Sequence, residues 1–315
     1  MQATPKDVYL QMATNNRKLV MLIILFPVVL FAFIYFWLWL FFSVGETDKS
    51  LTDVVSFPEL LAFLLPIVVI ICIGMTLLSI FNGKNMILRM AGAQPCSKDK
   101  EHIKIFHAVE NVALTAGLPT PQVYLIKDKA LNAFATGYAP DSAAITLTTG
   151  LVEKLTPLEL EAVIAHEMGH ILNRDIRLNL YILTGIGMIG LVGEFLLRSC
   201  RGNRRSRNQG KGIVIIMALG LALYLFHLLI APFIRMAVSR TQEFQADATS
   251  AHLTRHPQAL ADALAKISEN PTAVRLAEAK GLSAMCICNP LSSIGHLLDT
   301  HPPVKDRIAR LEAMS

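Results

Sequence analysis

Charge is scarce in this sequence of 315 residues: Asp, Glu, Lys and Arg together make up 17% of it, against about a quarter in soluble domains. A hydrophobic share of 53% completes the contrast, and the pair of values excludes an ordinary soluble protein. Cysteine is sparse too. The five, Cys72, Cys96, Cys200, Cys286 and Cys288, form no C-x-x-C pair, and an odd number cannot close completely into disulfides. Reduced thiols in or facing a cytosol fit that pattern. Cys286 and Cys288 are spaced like alternate positions on a strand rather than a metal clamp. A basic stripe interleaved with aromatics is also missing. The net charge of +5 is carried by residues gathered beside apolar segments, as membrane topology demands, which excludes nucleic acid as a partner.

What is present is a membrane chain. Lys18 is followed by unbroken apolar sequence over 19–42, long enough to cross a bilayer at about 1.5 Å per residue. That run ends in Phe36-Trp37-Leu38-Trp39 rather than in the small residues of a signal peptide, so it reads as a retained span with an aromatic belt. Residues 62–81 make a second span around Pro66, which neighbouring helices tolerate. The connector holds Glu46, Asp48, Asp53 and Glu59 against a single Lys49, while Arg17, Lys18, Lys84 and Arg89 flank the pair. Positive residues stay inside, so both flanks, and the chain after Met90, are cytosolic. Two later apolar runs, about 178–197 and 213–233, enclose a tip bearing Arg198, Arg201, Arg204, Arg205, Arg207 and Lys211 and no acid. A spanning hairpin sets this tip against the positive-inside bias, whereas a re-entrant one lets it touch anionic headgroups. Both alternatives stay open. Glu194 and His227 within these runs read as interfacial residues.

Between 97 and 172 the composition turns globular. Ile105, Phe106, Val109, Val112 and Ala113 mark one face of a helix ending at Gly117. Short strands are expected over 123–126, 131–136 and 143–147, the last after a turn at Ala139-Pro140-Asp141. A small sheet of this kind can accept an extended polypeptide as an added strand, through backbone hydrogen bonds that ignore side-chain identity.

The helix that follows carries the chemistry. Thr156-Pro157-Leu158-Glu159 supplies an N-cap, a proline at the first helical position and a capping-box acid. Leu160, Val163, Ile164, Met168 and Ile171 then form an apolar stripe, predicting a helix from Thr156 to about Asn173. Within it lies Ala165-His166-Glu167-Met168-Gly169-His170. Histidines four apart project side by side and can share a tetrahedral Zn²⁺. Glu167 is placed to take a proton from water rather than to bind the metal.

Two ligands leave a zinc site incomplete. The metzincin pattern needs a third histidine six residues past His170, where Ile176 stands, so that class is excluded. A later helix offers Glu243 and Asp247, one turn apart. Glu243 can complete the coordination, and Asp247 can hydrogen-bond the far nitrogen of a ligand histidine, fixing its tautomer and ring orientation. A histidine in place of Glu243 remains the alternative, although His102, His107, His252 and His256 read as surface or packing residues.

Residues 165–175 and 239–247 resemble the paired signatures of the HtpX membrane zinc metalloproteases, which are gluzincins and more distantly similar to the CAAX prenyl proteases. The likeness extends to Asn132-Ala133-Phe134-Ala135-Thr136-Gly137 and Thr300-His301-Pro302-Pro303 and covers nearly the whole chain in order and spacing. It implies one zinc ion held by His166, His170 and Glu243, with Glu167 as the base and Asp247 behind the ligands. It also implies that Asn132, Ala133 and Phe134 hold the substrate backbone and that His301 stabilises the tetrahedral oxyanion, a plain turn residue being the alternative for His301. Gln242 departs from the pattern, since the family often has Arg before the ligand Glu; that leaves a neighbouring salt bridge in doubt.

The expected fold class is α+β, mainly α: multi-span membrane helices with a gluzincin-like domain carrying a small sheet. The expected organisation is an N-terminal anchor over 1–91, a first part of the protease domain over 92–177, the hairpin over 178–233, and a second part over 234–315 ending in an amphipathic helix after Pro303. The resemblance implies an endopeptidase of the bacterial inner membrane, acting from the cytosolic side on misfolded or damaged membrane proteins as stress-linked quality control. A narrower peptidase for one dedicated or lipidated substrate is the first alternative. A non-catalytic scaffold with a structural zinc is the second, and four protein ligands rather than three would mark it.

Overall fold

The computed structural model describes residues 5–44, 57–100, 102–202, 211–229, 231–269 and 302–314. His301, Cys286 and Cys288, the connector residues Glu46, Asp48, Lys49 and Asp53, and Arg204, Arg205 and Arg207 at the basic tip lie outside the described residues. The chain divides into two compact units, one of Met1–Leu19, Ile80–Leu183 and Arg235–Ser315, the other of Val20–Ser79 and Thr184–Ile234.

Long helices open the chain: α1, Pro5–Val44, and α2, Phe57–Met90. A third long helix, α6, runs Asp175–Gly202, and α7, Lys211–Leu229, follows it. Among the described residues, three helices are long and apolar enough to cross a membrane, over Met12–Leu40, Leu65–Met90 and Asp175–Cys200. The apolar stretch of α7, Ile213–Leu229, is shorter. In the second unit Phe226 meets Phe26 and Phe33 edge to face at centroid distances of 5.9 and 5.4 Å, and His227 Nδ1 lies 3.1 Å from the carbonyl oxygen of Ile186. Glu194 pairs with Arg198 one turn along on the exposed side of α6.

The first unit is built on a four-stranded sheet of β1 (Gln94–Pro95), β2 (Gln122–Ile126), β3 (Ala133–Thr136) and β4 (Ala144–Thr148), in the order β1-β2-β4-β3. β2 and β4 are parallel, and β3 lies antiparallel to β4 with Phe134 opposite Thr146. Both faces of β3 and β4 are covered. Ala133, Ala135, Ile145 and Leu147 join the main core, while Phe134 packs on the other face with Ile87, Leu180 and Leu183. A sheet buried on both sides explains why these strands read as continuous apolar runs.

α3, Ile103–Ala116, buries Ile105, Val109, Val112 and Ala113 along one stripe. It stops at Gly117, whose left-handed backbone, φ 65°, turns its N–H back onto the carbonyls of Ala113 and Leu114. A short helix, α4, Thr149–Lys154, leads into α5, Pro157–Leu172. The capping box forms as expected: the Thr156 hydroxyl accepts from the Glu159 N–H at 3.4 Å, and the Glu159 carboxylate accepts from the Thr156 N–H at 2.8 Å. Lys266 on α9, Pro257–Ser268, also donates to Glu159 at 2.7 Å, fastening α9 to the start of α5.

α8, Ala231–Thr254, crosses α5 at Gly169. A Cβ there would stand 3.2 Å from both the Ala246 Cα and the Thr249 Cβ, so glycine permits the two backbones to close. Ser250 completes the crossing with a 2.7 Å hydrogen bond to the carbonyl of Ala162. The last element, α10, Val304–Glu312, packs Leu311 into the main core.

Candidate metal centre

α5 is buried along most of its length because the sheet, α8 and α9 surround it, and its two histidines are buried or nearly so. Their rings meet edge to face with centroids 4.8 Å apart. The α5–α8 crossing brings Glu243 to them: Oε2 lies 3.6 Å from His166 Nε2 and Oε1 lies 3.7 Å from His170 Nε2. One atom from each of His166, His170 and Glu243 falls within 4.8 Å of the others. Ligand atoms about 2.0–2.2 Å from a tetrahedral zinc stand roughly 3.3–3.6 Å apart, so these atoms need only small shifts to share an ion. His166 Nε2 is buried without a hydrogen-bond partner among the described residues, as a nitrogen reserved for a metal would be. The donor set of two imidazoles and a carboxylate suits zinc.

Each histidine is held from behind by its own aspartate. Asp247 Oδ1 lies 3.0 Å from His166 Nδ1, and Asp175 Oδ2 lies 2.9 Å from His170 Nδ1. The aspartates are fastened differently. Arg307 of α10, only 1% exposed, grips Asp247 with two donors, Nε to Oδ2 at 2.8 Å and a terminal nitrogen to Oδ1 at 2.7 Å. Its other terminal nitrogen lies 3.2 Å from Glu243 Oε2. Asp175 instead accepts from the side-chain amide of Asn15 on α1 at 2.6 Å. Burial pushes the Asp247 carboxyl up, but the Arg307 charge and the His166 hydrogen bond outweigh it and hold the group below its ordinary value. For His170, burial pulls the ring down, yet the Asp175 hydrogen bond and the Glu243 charge prevail and raise its pKa to about 9.

Glu167 points from the same turn and is 2% exposed. Burial raises its pKa above the ordinary glutamate value, opposed by the two neighbouring histidines and by a hydrogen bond from the backbone N–H of Ala135. That last contact ties the acid to the outer edge of β3. Asn132 stands just before β3 rather than within it. Its side-chain oxygen accepts the Ala133 N–H at 2.8 Å, and its own N–H donates to the Thr148 hydroxyl at 3.0 Å. Ala133 and Phe134 are buried strand residues.

The structure thus gathers His166, Glu167, His170, Glu243 and Asp247 around one point, with Ala135, beside Ala133 and Phe134, against Glu167. His102, His107, His252 and His256 take no part in the ligand cluster; His102 pairs with Asp99 at 2.8 Å. Three contributors escaped sequence reasoning. Asp175 lies inside the quoted 165–175 signature, five residues past His170, and its spacing was the available signal. Arg307 and Asn15 carried none, because each reaches the site across the fold. Arg307 also supplies a cation beside Glu243; Gln242 is buried, and Arg310 stacks over the Phe244 ring at 3.7 Å to seat α10 on α8.

The chain is 36% identical over 317 residues to a protease HtpX homolog of Caldanaerobacter subterraneus, covering 99% of each. It is 36% identical over 315 residues to another of Dictyoglomus thermophilum, covering 98% of this chain and 96% of that one, and 32% identical over 314 residues to one of Bacteroides fragilis, covering 96% and 97%. A crystal structure of S. mikatae Ste24p superposes with a TM-score of 0.44 at 23% identity, covering 97% of this chain and 66% of that one. The sequence pattern of peptidase family M48 matches residues 99–315, a stretch that takes in every side chain gathered at the centre except Asn15. The chain belongs to peptidase family M48.

Proposed function

We propose that this HtpX-like membrane peptidase is a zinc endopeptidase whose ion is held by His166, His170 and Glu243, with Glu167 as its general base. The observation that carries the reading is the convergence of those three ligand atoms within 4.8 Å of one another, from two helices far apart in sequence. When bound, a zinc ion polarises the scissile carbonyl and lowers the pKa of water towards about 7. Glu167 takes the proton of the attacking water and delivers it to the departing amide nitrogen. Its raised pKa makes it a stronger base than an exposed glutamate for taking that first proton. The Ala135 N–H keeps one carboxylate oxygen oriented, and it belongs to the terminal strand of the described sheet. A substrate strand laid along the outer edge of β3 therefore passes beside Glu167, with Asn132, Ala133 and Phe134 as its rail. His301 is proposed to stabilise the oxyanion.

Strand addition through backbone groups is blind to side chains, which supports broad selectivity and a role in clearing misfolded or damaged membrane proteins. The basic residues Arg17, Lys18, Lys84 and Arg89 flanking the first two spans support a bacterial inner-membrane protein with its peptidase unit in the cytosol. Asp175 and Asp247 orient the ligand rings, and Arg307 neutralises Asp247 and Glu243. On this reading the first compact unit carries the chemistry.

Purified full-length chain and Glu167→Gln, both in detergent, test the assignment on an unfolded membrane protein. Loss of the base is expected to slow cleavage at least about 100-fold while one zinc per chain is retained. Equal rates would remove Glu167 from the mechanism, and absence of zinc from the active wild type would remove the metal.

A further inference from the structure

Asn15 belongs to no motif, yet it is 1% exposed and donates twice from one amide nitrogen: to Asp175 Oδ1 at 2.6 Å and to the carbonyl of Asn173 at 2.8 Å. Asp175 in turn turns its other oxygen to His170 Nδ1 at 2.9 Å. Asn173 lies in the short link between α5 and α6, and Asp175 opens α6, immediately after the helix that carries the two histidines. α1 itself continues without a break from Asn15 into the apolar run that begins at 19. Hydrogen bonds of this kind span about 2.7–3.2 Å between donor and acceptor, so a slide of α1 along its axis by more than a few tenths of an ångström would take Asn15 out of reach of Asp175 and leave that carboxylate free to rotate away from His170.

We propose that Asn15 is a positioning residue of the metal centre, holding Asp175 against His170 so that the seating of the first membrane helix sets how tightly the ligand cluster keeps its ion. The proposal rests on the zinc reading above. It makes metal retention sensitive to whether α1 is properly docked, a dependence the ligands alone would not create.

Zinc affinity of the purified full-length chain in detergent, measured by competition with a chelator, tests it without recourse to activity. Direct partners of ligand histidines change metal affinity 10- to 100-fold; Asn15→Leu, which keeps the volume but no donor, is expected to weaken zinc binding roughly 10-fold. Asn15→Ser leaves a gap but keeps one donor and should stay within about 3-fold of wild type. In an Asp175→Ala background Asn15→Leu should cost nothing further, because the link it breaks is already gone. Leu19→Ala, at a buried α1 position without a polar role, should loosen the seat of α1 and weaken zinc binding less than Asn15→Leu does, whereas Val123→Ala, at a buried β2 position, should lower thermal stability and leave zinc affinity alone. Equal affinity of wild type and Asn15→Leu would overturn the proposal, as would Asn15→Ser binding more weakly than Asn15→Leu, or losses at Asn15 and Asp175 that multiply. If Asn15→Leu does not fold by circular dichroism, the Asn15→Ser and Asp175→Ala arms decide. A wild type that binds no zinc overturns the underlying reading and this proposal with it.

Discussion

The two sides of the candidate metal centre solve one problem by different means. Both histidines of the proposed zinc site need a partner on Nδ1 to hold the ring and leave Nε2 free. On the His166 side that partner, Asp247, is locked by a buried guanidinium from the C-terminal helix, two hydrogen bonds deep and backed by charge. On the His170 side Asp175 is steadied by the neutral amide of Asn15 from the N-terminal helix. Asp247 thus has two hydrogen bonds and an opposite charge from Arg307, whereas Asp175 has one hydrogen bond from an uncharged donor besides its contact with His170. The His166 side is therefore a rigid anchor, and the His170 side, with no guanidinium behind its carboxylate, is the one whose protonation and position can vary.

Breaking the rigid side should produce the largest effect. Arg307→Leu leaves the Asp247 carboxylate buried without its counter-charge and takes away the donor to Glu243, a loss on the order of 3–5 kcal/mol. Thermal unfolding of the full-length chain in detergent should show it most strongly after the metal is stripped by chelator, since a bound cation partly compensates Glu243. A change below about 1 kcal/mol in the stripped protein would mean that the guanidinium is not what holds these acids.

The softer side predicts a pH dependence of somewhat smaller size. Burial pulls His170 down, but Asp175 and Glu243 raise its pKa from 6.5 to about 9. A pKa raised on folding gives a stabilisation that is complete below the unfolded value near 6.5 and is lost as the pH climbs through 9. Chelator-stripped protein should therefore lose on the order of 3 kcal/mol of stability between those limits. Zinc-loaded protein, whose ligand rings must be neutral, should show no such decline, and Asp175→Asn should flatten the stripped profile. An unchanged melting temperature across that pH range in the stripped wild type would contradict the assigned role of Asp175.

How far each side could be read beforehand follows from the same asymmetry. The capping box at Thr156 and Glu159, the stripe of α5 and the H-E-x-x-H spacing are local patterns, so the helix, at close to its observed boundaries, and the adjacency of its two histidines were legible. β2 and β4 were legible as apolar runs, whereas β1 has only Gln94 and Pro95, too short for any alternation to register. Glu243 and Asp247 could be singled out because two acids one turn apart follow an apolar hairpin. Arg307 and Asn15 could not, since an arginine in a polar C-terminal helix and an asparagine before a membrane span look like solvated residues until the fold buries them. Long-range polar pairing leaves no periodic trace in a chain.

The α5–α8 crossing allows the comparison to be sharpened with a single methyl group. In Gly169→Ala the new Cβ meets the Ala246 Cα and Thr249 Cβ at 3.2 Å, closer than relaxed carbon contacts allow, and the easiest relief is for α8 to move away from α5. Overpacking costs about 1–3 kcal/mol, but alanine returns about 1 kcal/mol of helix propensity over glycine, so net stability should change little. The ligand geometry should change more. α8 carries Glu243 and Asp247, while His170, Asp175 and Asn15 are fastened to one another independently of it, so the shift should strain the His166 side most and reach His170 only through the charge of Glu243. Zinc affinity is expected to fall while the pH profile of the stripped protein, which rests first on the Asp175 hydrogen bond and then on Glu243, moves only slightly towards lower pH. If that profile moved strongly together with the affinity, the two sides would be one mechanical unit rather than an anchor and a soft partner.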